Sequence, residues 1–130
     1  MKKTIIISTG AAGLLLAAFV IFRYINYSME PAEVFRKLSG MRMAITFFRL
    51  ATGRQPSDIG EVIQNGNLEA VPRIKLKRHL ASSKVRKTAK LIVRDTGGWG
   101  YVNDPADRDF GTIFIDCTHK DEKGRYWSEF

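Results

Sequence analysis

Residues 4–22 read TIIISTGAAGLLLAAFVIF, 19 positions without a single charge. As a helix this run spans about 28 Å, close to the hydrocarbon thickness of a bilayer. Only a helix satisfies its own backbone inside lipid, so the run constrains the N-terminal part of the chain to one conformation if it enters a membrane. Lys2 and Lys3 precede it, and Arg23, Tyr24 and Tyr27 follow at the depth where cations and tyrosines sit at the interface. A cleavable signal peptide is the rival reading. Its small residues would stand after the apolar stretch, whereas Gly10, Ala11, Ala12 and Gly13 lie inside it and are followed by Leu14, Leu15 and Leu16. The sequence therefore predicts a retained single-pass anchor over residues 1–29 and a globular domain over 30–130. Gly13 and Ala17, one helical turn apart, are candidates for close helix packing. Cations flank the run on both sides, so charge alone does not orient it.

The net charge of +8 is unevenly placed. Residues 1–72 carry +3, residues 73–94 carry +9 with no acid, and residues 95–130 carry −4. One cysteine, Cys117, excludes an intramolecular disulfide framework and a multi-cysteine metal site.

After the anchor, Val34, Leu38, Met41, Ile45 and Phe48 recur at alternating steps of four and three, the stripe of an amphipathic helix over residues 30–52. Ser28 is a candidate N-cap, Pro31 stands near the start, and Gly53 supplies the stop. Gln55-Pro56-Ser57-Asp58 predicts a turn into a short helix, residues 58–64, closed by Asn65-Gly66. Strands are expected at Lys90–Arg94, Trp99–Val102, Thr112–Thr118 and Arg125–Phe130. The order and lengths predict an α+β domain in which a small antiparallel sheet packs on the long helix.

Four segments in this order, Thr52–Val62 (TGRQPSDIGEV), Asn65–Pro72 (NGNLEAVP), Gly97–Pro105 (GGWGYVNDP) and the terminal hairpin, resemble the type IV pilin-like superfamily, most closely the pseudopilins of type II secretion systems. Gln55-Pro56-Ser57-Asp58 matches the slot where the family's long helix gives way to a short one, and Trp99 and Tyr101 match its Gly-Trp-x-Tyr segment. A prepilin cleavage site is not recognisable: no acid lies between Thr4 and Phe22, and the fifth residue after Gly10 or Gly13 is Leu15 or Ala18. The resemblance implies a subunit of a secretion or pilus-type assembly, its N-terminal helix packed among copies or relatives. It also implies a bacterial inner-membrane location with the globular domain in the periplasm.

Candidate sites follow from residue chemistry. Asp104, Asp107 and Asp109 offer hard oxygen donors that suit calcium, an ion that major pseudopilins bind in C-terminal loops; a solvated acidic loop is the rival. Arg73, Lys75, Lys77, Arg78, Lys84, Arg86, Lys87, Lys90 and Arg94 form a block able to hold DNA or another polyanion, although no aromatic stacking platform accompanies it. Filament subunits of the superfamily also serve DNA uptake, so a membrane-anchored polyanion-binding module stands as the alternative to a secretion-system subunit. Cys117 and His119 share a predicted strand face, but no orienting group is visible and Cys117 is expected to be a small buried hydrophobe. His79 and His119 stand too far apart in sequence to argue a metal site. With no phosphate loop and no nucleophile triad, the chain is expected not to be an enzyme.

Overall fold

The computed structural model describes the backbone of residues 2–130 and the side chains of residues 10–130. The Lys2–Lys3 flank of the anchor lies outside the described side chains. Three helices come first: α1 (Lys2–Asn26), α2 (Pro31–Thr52) and α3 (Ile59–Gln64). Strands β1 (Val85–Thr88), β2 (Trp99–Val102) and β3 (Ile113–Ile115) follow, and a 3-10 turn at Trp127–Glu129 ends the chain.

Pro31 decides where α1 stops being α2. A residue before proline is driven out of helical geometry, and Glu30 sits at φ −59°, ψ 138°. Pro31 then occupies the first helical positions, where a missing N–H costs nothing. Glu30, not Ser28, is therefore the N-cap, and its side chain makes no capping bond. The two helices are bent by 56° across this break. Among the described residues no single helix is long and apolar enough to cross a membrane, but the pair Gly10–Asn26 and Pro31–Thr52 together has the required length and hydrophobicity. At its other end α2 stops at Gly53, left-handed at φ 74°, whose amide donates to Arg49 O.

The predicted stripe is the core. Val34, Leu38, Met41, Ile45 and Phe48 are all buried, with Ala44 beside them, against Ile59 and Val62 of α3 and the inner residues of the sheet. Asp58 caps α3 by accepting from Glu61 N, and Glu61 reaches back to Ser57, a reciprocal arrangement close to a capping box.

The sheet departs from expectation. Its order is β1-β2-β3; β3 runs antiparallel to β2, but β1 runs parallel to it, with Val85 opposite Trp99. Lys90–Arg94, expected as a strand, belongs instead to the connection that returns the chain for this parallel pairing. Leu91 and Ile92 accordingly stay exposed. The return is organised by Asp116, whose buried carboxylate accepts from Arg86 Nε (2.8 Å), Arg94 N (2.6 Å) and Thr96 Oγ1 (2.7 Å). Burial pushes this carboxyl up, yet those donors outweigh it and hold it below the ordinary carboxylate range. The last segment is a 3-10 turn rather than a strand, with one bridge pairing Lys120 and Tyr126. Its inward residue is Trp127, while Tyr126 faces solvent.

The segments that carry the family resemblance meet in space. Tyr101 Oη donates to Pro56 O at 2.5 Å, and Trp99 Nε1 donates to Pro72 O at 2.8 Å. Gly100 lies between them because a Cβ there would come within 2.2 Å of the Phe114 ring.

Candidate metal centre

Three loops converge beyond the end of β3. The first is the hairpin of residues 74–82, closed by paired bonds between Ile74 and Ser82. Arg78 takes a left-handed conformation at φ 67°, which turns the chain and presents His79 inward. The second is the turn at residues 95–97, where Asp95 is also left-handed at φ 62°. Gly97, at φ 74°, allows this turn to lie on the His79 ring, since a Cβ would stand 2.4 Å from its Cγ. The third is the chain leaving β3, which contributes Cys117 and His119 two residues apart.

Four donor atoms meet here. His79 Nε2 lies 3.1 Å from Asp95 Oδ1 and 3.1 Å from His119 Nδ1, and His119 Nδ1 lies 3.3 Å from Asp95 Oδ1. Cys117 Sγ lies 3.4 Å from His79 Nε2 and 3.5 Å from His119 Nδ1. All four donors fall within 4.8 Å of one another. For zinc with ordinary bond lengths, the edges of a tetrahedron are about 3.3 Å between N or O donors and about 3.6 Å between N and S. Five of the six separations match those edges to within about 0.2 Å; the sixth, Cys117 Sγ to the Asp95 carboxylate, is no longer than 4.8 Å.

The electrostatics point the same way. Burial pushes the Cys117 thiol up to about 12, and the Asp95 and Asp116 carboxylates add to that rise. Burial also raises Asp95, but the Thr118 amide at 2.8 Å, the Thr118 hydroxyl and the two imidazoles hold it below its ordinary value. A carboxylate is thus retained beside a neutral thiol. A divalent cation would reverse the thiol's preference, because it binds thiolate and expels the proton. Cys117 is fully buried, whereas the Asp95 and His119 side chains keep 33% and 26% of their exposure, so the site opens to solvent on one side. With four protein donors, such a site is closed and holds its loops together. If Asp95 gave way, two nitrogens and a sulfur would remain with one position for water, the donor count of catalytic zinc sites.

Four expectations are corrected here. His79 and His119, 40 residues apart, are neighbours, and Cys117 is a member of a donor cluster rather than a buried hydrophobe alone. The expectation that the chain is not an enzyme rests on the absence of any constellation of chemistry-bearing groups, and this cluster overturns it. The cofactor expectation changes as well. A set of two imidazoles, a thiol and a carboxylate suits a borderline transition metal and not calcium. One local signal pointed here, the Cys-x-His spacing at the end of a strand; the contributions of His79 and Asp95 depend on long-range folding.

The other candidate residues lie apart from this centre. Asp104 Oδ1 accepts from Ala106 N and Asp107 Oδ1 from Asp109 N, both at 2.9 Å, while Asp109 pairs with Arg108. These carboxylates shape their own loop. Among the described residues the cluster above is the group of three or more His, Cys, Asp or Glu donors placed to share an ion. The basic block is divided: Lys75 is buried and Arg86 is paired with Asp116, whereas Arg73, Lys77, Arg78, Lys84, Lys87, Lys90 and Arg94 are exposed. Gly13 and Ala17 lie on the exposed surface of α1, and nothing stands within 4 Å of a Cβ at Gly13. Comparison with protein-family models, curated proteins and solved structures finds no match for this chain.

Proposed function

We propose that this chain is a membrane-anchored metal-binding subunit of a pilin-like envelope assembly, its globular domain closed around one zinc-type ion by His79, Asp95, Cys117 and His119. The observation that carries the metal reading is the convergence of two imidazoles, a thiol and a carboxylate within 4.8 Å, five of the six donor separations having the length of a zinc tetrahedron's edges. The ion would tie the 74–82 hairpin, the 95–97 turn and the chain after β3 to one point. The test is metal content of the full chain purified in detergent without added chelator, followed by X-ray absorption. One zinc per chain with mixed N/O/S coordination is the expected result. Metal-free protein that also takes up no zinc on addition removes the reading.

The assembly reading has its own support. Met43, Phe47 and Leu50 form an apolar stripe on the outer face of α2, exposed by 58%, 51% and 73%. Residues 10–23 of α1 are likewise exposed. The pilin-like segment order and the meeting of its motifs through Tyr101 and Trp99 favour subunit packing along this track. A photo-cross-linker at Phe47 should capture a second copy or a pilin-like relative in native membranes. Recovery of monomer alone, with the chain inserted, counts against it.

A further inference from the structure

The hairpin that supplies His79 has a second face. On its inner side Ile74 and Leu76 are fully buried. The tip is stitched to the last turn of α1: Arg78 N donates to Ile25 O at 2.7 Å, Ala81 N approaches Tyr24 Oη at 3.4 Å, and Lys75 Nζ donates to Tyr27 O at 2.7 Å. Lys75 Nζ also stands 4.9 Å from the centroid of the Tyr24 ring. The hairpin is therefore held at the level of residues 24–27, where the anchor leaves the apolar run. At that level Leu80 projects with 71% of its surface exposed. Arg73, Lys77, Arg78 and Lys84 surround it in sequence, all exposed, and none lies within ion-pair distance of a carboxylate among the described residues.

We propose that the tip of the 74–82 hairpin docks on the membrane surface, with Leu80 inserted at the headgroup boundary and Lys77 and Arg78 bound to the phosphates of anionic lipids. The inference rests on α1 being a membrane anchor. An exposed apolar side chain flanked along the chain by exposed cations is a composition that partitions into an anionic interface. The pairing also resolves two otherwise unexplained exposures: a large aliphatic side chain in water and a run of cations without counter-charges. Docking at a second point would fix the tilt of the globular domain relative to the bilayer, because a single spanning helix leaves its own tilt and rotation in the bilayer open.

The experiment uses the full chain in nanodiscs of phosphatidylcholine, with or without phosphatidylglycerol, and lipids brominated either near the headgroup or deep in the chain. Leu80→Trp reports the hairpin and Phe19→Trp reports the anchor; the native Trp99 and Trp127 are buried and give the background. In phosphatidylglycerol discs the Leu80→Trp emission should be quenched by shallow bromines and recover in high salt. Each cation is expected to contribute about fivefold to partitioning, so adding Lys77→Gln and Arg78→Gln should lower the docked-to-free ratio about 25-fold. Quenching of Phe19→Trp by deep bromines with Leu80→Trp unquenched in both lipids overturns the docking and leaves the anchor standing. Phe19→Trp unquenched removes both. Leu80→Trp quenching that is equal with and without phosphatidylglycerol overturns the anionic-lipid assignment.

Discussion

If the four donors hold zinc, the stability of the domain must follow the concentration of free zinc with a fixed slope. Above the dissociation constant each tenfold rise in free ion adds about 1.4 kcal/mol to the native state. For a domain of this size 1 kcal/mol moves the melting temperature by about 4–8 °C, so each decade of free zinc should raise it by about 6–11 °C. The assay is thermal melting of the full chain in detergent, followed by near-ultraviolet circular dichroism of the buried Trp99 and Trp127, in zinc buffers spanning several decades. His119→Ala provides the internal control. Its side chain is partly exposed, so the metal-free melting point should shift little. The zinc response should move by more than the about 10–100-fold typical of outer-sphere partners. A melting temperature independent of zinc, an equal response to calcium, or a His119→Ala response that sets in at the wild-type zinc concentration would refute the assignment.

Further outcomes follow from the same groups. Because burial holds Cys117 as a thiol, its pKa raised to about 12, zinc binding near pH 8 should release about one proton per ion. Calorimetry in buffers of different ionisation enthalpy measures this, and Cys117→Ser should lower the release. Asp116 is held below its ordinary value of 3.8, so its contribution is present above that pH and disappears as pH falls through the lower folded-state value. Asp116→Asn should flatten this acid limb in a denaturant–pH series; an unchanged limb means that another carboxylate sets it. Tyr101→Phe leaves Pro56 O without its donor and should cost about 1–3 kcal/mol in urea unfolding, whereas a neutral substitution would show that the motif contact is incidental.

What was legible in the sequence was what local periodicity encodes. The α2 stripe, the short helix α3, the Gly53 stop and β2 stand where spacing and turn chemistry place them. The errors share one cause. Lys90–Arg94 has a convincing strand composition, but a buried carboxylate 22 residues away, Asp116, claims the Arg94 amide and pulls the segment into a connection. The parallel pairing of β1 has no local signal, because strand direction depends on how the chain returns. The metal centre was invisible for the same reason. Two of its donors sit on left-handed turns, or next to one, whose meeting is decided by the hairpin and the sheet together. The expected acidic calcium loop, Asp104 to Asp109, shapes only itself, and the donors that converge are of softer character.

The basic block shows why a run of charge is a poor unit of function. Nine cations from Arg73 to Arg94 read as one surface, yet Lys75 is only 3% exposed and donates to Tyr27 O (2.7 Å), Leu76 O (2.9 Å) and Ile25 O (3.5 Å). Two of those carbonyls belong to the end of α1, where the orphaned acceptors and the negative end of the helix dipole favour a cation. Burial pushes the Lys75 pKa down, and methionine offers an unbranched apolar stem of similar length. Lys75→Met should remove the donor to Tyr27 O, a loss of about 1–3 kcal/mol felt locally, while Ile25 O keeps the Arg78 amide. The backbone bond from Met29 N to Lys75 O remains available in the variant, so the hairpin itself should stay formed. Hydrogen exchange of the full chain should quicken at residues 27–29 and in the last turn of α1, with amides of β2 and α2 unchanged. Exchange unaltered at the hinge would mean that water satisfies those carbonyls as well as the ammonium does. Quickening that spread through β2 would make Lys75 a core residue rather than the clasp between anchor and domain.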